Sequence, residues 1–174
     1  MLGFLVLSAD TATWITAVST LGVAAFGLGA VLFAWAQITE GRRVQKRQRV
    51  YDLQKQHDEA ILPLMKDIYS FNRASDQASA KAVWKNWQLN EPARLDPFVR
   101  VFNFFEVVGS EYNLGLIDTK VAEQTLLYSL VNLWPSVSWF VRWLREESKN
   151  PRVYEQWQLA YKQAAPKYEL PVDA

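Results

Sequence analysis

The chain lacks cysteine altogether and has one histidine among its 174 residues. The first absence excludes disulfides, Cys-ligated zinc and thiol catalysis, and it fits a reducing compartment. The second leaves no histidine cluster with which one chain could build a metal site. A charge surplus is missing too. Lys and Arg number 19 against 18 Asp and Glu, a net charge of +1, which argues against a general nucleic-acid binder. No Gly-rich phosphate loop, no GxSxG and no HExxH occurs, so no enzyme activity and no cofactor is expected. The most telling absence is local: residues 11–39 contain no charged side chain.

A bilayer core takes about 20 predominantly apolar residues in helix, and Thr11 to Thr39 exceeds that. Asp10 stands before the run, with Glu40 and then Arg42, Arg43, Lys46, Arg47 and Arg49 after it. Basic residues on the C-terminal flank predict an external N-terminus and a cytoplasmic remainder. Ala34-Trp35-Ala36 has the small-x-small form of a signal cleavage site. However, the run is long for a signal and its bases lie downstream, so an uncleaved span is expected. Residues 1–7 are apolar as well and are expected at the outer interface.

The run is patterned. Thr13, Thr16, Thr20, Val23, Gly27, Ala30, Ala34 and Gln37 recur at spacings of three and four, which places them on one helix stripe. Gly22, Ala25 and Gly29 lie on a neighbouring stripe, where small side chains let membrane helices approach closely. A plain anchor is one expectation. The other is a homo-oligomer in which Thr13, Thr16, Thr20, Gly27, Ala34 and Gln37 line a pore axis while Gly22, Ala25 and Gly29 pack between helices.

Residues 40–60 are polar nearly all round and predict a basic helical stalk. Arg42, Arg43, Lys46, Arg47 and Arg49 serve there as a topology signal, with anionic lipid or a nucleotide-type ligand as alternatives. Residues 61–165 predict an all-α domain. Ile61, Leu62, Met65, Ile68, Tyr69 and Phe71 form one helix face, with Pro63 kinking or restarting the helix. Asp76 is expected to cap the next helix, which closes at Asn90-Glu91-Pro92. Asp96-Pro97 and Asn150-Pro151 have the form of a cap followed by proline at the first helical position. Phe98 to Val108 predicts the most buried helix, with Phe104 and Val107 widening its face and Gly109, Asn113 and Gly115 ending it. Asp118 is expected to cap a helix running to Trp134, and Pro135 to start another. Residues 166–174 are expected as a tail, and 1–10 as a short external N-terminus.

Within this domain, Phe104-Phe105-Glu106, Gly115-Leu116-Ile117-Asp118, Trp139-Phe140 and Asn150-Pro151 resemble the DUF4760 family over roughly residues 11–165. The resemblance implies a small bacterial or phage-encoded protein with an N-terminal membrane helix and a helical domain, loosely associated with bacterial defence. It carries over no catalytic residues.

His57 with Asp58 and Glu59 is the one compact group of possible acids, bases or ligands, expected as solvated helix surface. Glu106, on an otherwise apolar helix, is expected to form an ion pair with Arg94, Arg100 or Arg142. Trp84, Trp87, Trp134, Trp139, Trp143 and Trp157 are expected in the core, with part of the set at an interface. The functional expectation is a homo-oligomeric effector of the bacterial inner membrane. It forms or gates a pore under control of its cytoplasmic domain, in anti-phage defence, and answers a protein or oligonucleotide signal. The alternative is a passive anchor that recruits a cytoplasmic partner.

Overall fold

The computed structural model describes residues 9–74 and 76–172, with side chains described from Thr13 onward except at Ile15 and 72–74. The expected interfacial segment 1–7 and most of the external N-terminus lie outside the described residues. The chain divides into two compact units, Met1–Val44 and Gln45–Ala174. Among the described residues every regular element is helical.

The first unit is the bulk of helix α1 (Ala9–Gln56). Its large apolar side chains are bare, as with Val23 at 74% and Phe26 at 86% exposure. A helix satisfies its own backbone polar groups, which is what an uncharged segment in hydrocarbon requires. This is one helix long and apolar enough to cross a membrane.

The second unit begins inside the expected stalk. Val50, Leu53 and His57 are buried, followed by Ile61 across a π-helical turn (His57–Ile61). Their spacing of three and four makes a stripe one residue wide, too narrow to register against the polar residues around it. The π turn precedes α2 (Leu62–Ala74). Pro63 has no N–H for the carbonyl four residues back, and the Leu62 N–H instead reaches the His57 carbonyl, widening the turn.

Helix α3 (Gln77–Asn90) starts as predicted, with the Asp76 carboxylate accepting from the Ser79 N–H at 2.9 Å. A 3₁₀ turn, Pro92–Leu95, leads directly into α4 (Asp96–Asn113). Asp96 therefore lies inside the helix rather than capping it, and faces Arg100 at 3.6 Å. Helix α4 is indeed deeply buried, with Val101, Phe105 and Val108 at 0% exposure, but Val107 is 46% exposed and does not widen the face. Gly109 does not end α4; the helix runs on four residues to Asn113, and the chain then turns at Gly115, whose φ is 64°.

Asp118 caps α5 (Thr119–Gln124) by accepting from the Lys120 and Val121 N–H groups. The next boundary differs from expectation. The break falls at Thr125 (φ −130°, ψ −88°), and α6 (Leu126–Ser148) runs straight through Pro135. Side chains on both sides of the proline are buried (Val131, Leu133, Trp134, Val137 and Phe140), so packing holds one helix across a missing hydrogen bond. Asn150 likewise does not start a helix. Its side chain accepts from the Arg152 N–H at 3.0 Å, and α7 (Glu155–Ala164) begins only after Tyr154, in the left-handed region at φ 55°. Arg145 braces this turn by donating to the carbonyls of Val153 and Tyr154.

Aromatic rings fill the centre. Trp157 at 0% exposure stacks on Phe105 with centroids 5.0 Å apart, and its indole N–H donates to the Leu130 carbonyl at 3.2 Å. The expected tail folds back in part: Tyr161 donates to the Pro171 carbonyl, and Tyr168 to that of Glu123.

Candidate functional site

Every pore or packing candidate with a described side chain, Thr13, Thr16, Thr20, Gly22, Ala25, Gly27, Gly29, Ala34 and Gln37, is exposed on α1 within the first unit. A Cβ added at Gly22, Gly27 or Gly29 would meet nothing within 4 Å. Ala25, Gly29 and Ala30 form a shallow notch walled by Phe26 and Phe33. The Thr20 hydroxyl donates to the Thr16 carbonyl at 2.8 Å, and that of Thr39 to the Trp35 carbonyl at 2.8 Å. These hydroxyls are satisfied by their own helix and are compatible with lipid around them.

The basic segment splits by role. Arg42, Arg43 and Lys46 are exposed. Arg47 donates to Asp118 at 3.0 Å, and Arg49 grips both oxygens of Glu111. The last two are therefore engaged by carboxylates inside the second unit rather than open to an anion. Sequence reasoning missed these pairs because the partners lie 71 and 62 residues away. The Arg47 hydrogen bond holds the Asp118 carboxyl below its ordinary 3.8. A depressed folded pKa contributes stability above the unfolded value, and that contribution is lost as pH falls through the folded one. On acidification below about pH 4, the urea midpoint of the wild type is expected to fall more steeply than that of Arg47→Met. Parallel curves would remove the pair's role.

His57 is not solvated surface; it is 4% exposed. Its Nδ1 lies 2.8 Å from Asp58 Oδ1, so Nδ1–H donates, and Nε2 is buried with no protein partner. The rings of Phe104 and Phe105 stand 6.0 and 6.2 Å away. Asp58, held below the usual carboxylate range first by the Gln54 amide and then by His57, completes a structural clasp.

Glu106 also has a different partner from those expected. Arg94 bonds Glu91 and Arg100 faces Asp96. The two Glu106 oxygens accept the backbone N–H groups of Gln156 at 3.1 Å and Trp157 at 2.9 Å. Tyr154 makes no side-chain cap bond, so Glu106 performs from α4 the task an N-cap residue performs locally. Asn113 donates to the Gln156 carbonyl at 3.0 Å, and Gly109 lies between the two on the same face.

Of the tryptophans, Trp84, Trp134, Trp143 and Trp157 are buried, while Trp87 and Trp139 are partly buried against the core. Trp87 lines a groove of about 500 Å³ with Phe71, Phe98 and Val83, and Asp67 and Arg94 bring opposite charges to it. Ring centroids of Phe71 lie 5.4 Å from Trp87 and 5.2 Å from Phe98, so the apolar floor is continuous. Among the described residues no group of three or more His, Cys, Asp or Glu converges on a metal position.

Among the described residues these features define an all-α protein with one candidate membrane-spanning helix and one helical domain. The chain belongs to the DUF4760 family, described as a domain of unknown function, which it matches over residues 21–163. No curated protein and no solved structure matches it.

Proposed function

We propose that the chain is a membrane-anchored adaptor. Residues 11–39 span a bacterial inner membrane with the N-terminus outside, and the cytoplasmic helical domain receives a protein partner. The observation that carries this reading is the closure of the Thr20 and Thr39 hydroxyls onto their own helix. Threonine hydroxyls satisfied in that way need neither water nor a neighbour to shelter them. The receiving surface is the Phe71, Trp87 and Phe98 groove, with Asp67 and the Arg94–Glu91 pair at its edge.

A second reading is favoured by the notch at Ala25, Gly29 and Ala30, which suits a second copy of the span. In that reading the chain is an oligomeric effector, and Thr13, Thr16, Thr20 and Gln37 face a conducting axis in anti-phage defence. Ion flux separates the two. Purified chain reconstituted in vesicles is expected to leak ions no faster than empty vesicles. A leak abolished by Thr20→Leu with Gln37→Leu would overturn the adaptor reading and establish the pore.

A further inference from the structure

We infer that the surface under residues 167–172 is a docking site for a linear segment of a partner protein, one that presents an ammonium group beside a phenol. The chain's own tail is the occupant that closes this site in cis. Every residue involved lies in the second unit, and none lines the Phe71, Trp87 and Phe98 groove.

The tail meets the domain as a bound peptide would. The Lys167 ammonium pairs with the Glu123 carboxylate and lies 3.5 Å from the Tyr112 hydroxyl. The Tyr168 phenol donates to the Glu123 carbonyl, and its ring stands against that of Tyr128 with centroids 6.1 Å apart. Leu170 packs on the core, and the Pro171 carbonyl accepts from the Tyr161 hydroxyl. Lys167, Tyr168, Leu170 and Pro171 thus each answer a different group of the domain. Tyr112, Glu123 and Tyr128 lie within residues 21–163, which match the family, and the tail lies beyond them. The site belongs to the matched domain, and its occupant does not.

The domain side asks for this chemistry. Helix α5 stops at Gln124, so its last carbonyls find no donor further along the helix. Thr125 supplies two, its N–H to the Ala122 carbonyl and its hydroxyl to that of Val121. The Glu123 carbonyl takes its donor from Tyr168 instead, and the carboxylate of the same residue favours a cation beside it.

The tail is docked in a conformation it does not prefer. A 3₁₀ turn (Ala165–Tyr168) ends with Glu169 in the left-handed region at φ 56°. The Glu169 N–H donates to the Pro166 carbonyl at 3.4 Å and the Leu170 N–H to that of Ala165 at 3.1 Å, a turn that usually has glycine where Glu169 stands. A Cβ there is unfavourable, and the contacts of Tyr168 and Leu170 on either side offset it. A separate segment that meets the same groups without this turn avoids that strain. The tether works against it, since a short linker gives the tail an effective concentration on the order of millimolar. The site therefore opens to a tightly binding segment and stays closed to a weak one.

The test uses the full-length chain in detergent and a fluorescent peptide of residues 164–172. Lys167→Ala with Tyr168→Ala opens the tail, and this variant is expected to bind the peptide many-fold more tightly than the wild type. Adding Glu123→Lys is expected to abolish that binding, and a peptide carrying Lys167→Glu to restore it. Equal binding to the wild type and the opened chain, no binding to either, or binding indifferent to residue 123 would overturn the inference. A second measurement decides the matter even if the opened chain misfolds. In the wild type, amide exchange at Leu170 is expected to run many-fold faster than at Tyr161 within α7. Equal protection would make the tail an inseparable part of the fold and overturn the docking site. Wild-type dimers that Lys167→Ala with Tyr168→Ala dissolves would make the occupant a second copy of this chain and overturn the outside partner.

Discussion

Gly109→Ala is expected to destabilise the helical domain by about 2 kcal/mol, although alanine is the better helix former by about 1 kcal/mol. The added Cβ would lie 2.6 Å from the Gln156 carbonyl oxygen, 2.8 Å from its carbon and 2.9 Å from Trp157 Cα. All three are backbone atoms of α7, so no side chain can swing aside. Helix α7 must retreat as a body, which stretches the Glu106 bonds to its first turn. Urea unfolding in detergent, followed by tryptophan fluorescence, measures the loss. An unchanged or raised midpoint would mean that propensity outweighs contact and that α7 moves freely.

Glu106→Gln is expected to cost about 2 kcal/mol, the scale of a hydrogen bond to a charged group. The amide keeps the shape and one acceptor, but turns an NH₂ toward a backbone N–H that needs an oxygen. The specific readout is amide exchange, which is expected to accelerate at Gln156 and Trp157 more than elsewhere in α7. Equal exchange in the two proteins, with an unchanged midpoint, would dismiss the carboxylate as a cap. The substitutions at 106 and 109 share one contact, so their effects are expected to combine non-additively.

Those two residues also mark where sequence reading stops. Glu106, Gly109 and Asn113 are spaced by three and four along α4, one stripe that takes the opening turn of α7. Along the chain the same residues suggest an ion-paired acid and two helix enders. Nothing nearby signals that their partner lies 43 to 51 residues away. The proline positions teach the same lesson. Asp76 and Asp118 cap their own helices because the cap bond is local, made to an N–H two or three residues on. Pro135 and Asn150-Pro151 mislead because core packing and the bracing by Arg145 override a local preference. The candidate site is legible in proportion. The uncharged run and its small-residue stripes are visible in order, whereas the Phe71, Trp87 and Phe98 groove draws on three separate helices.

The sequence by itself determined the helical class, a long apolar helix near the N-terminus and the family, since each depends on periodicity, run length or short motifs along the chain. Only the tertiary structure decided that the basic segment enters the folded domain, that Arg47 and Arg49 are held by carboxylates, that His57 is buried, and that Glu106 caps a distant helix. The physical reason is common to all four. A charged or polar side chain takes whichever complementary group the packed helices bring to it, and that choice is made across space.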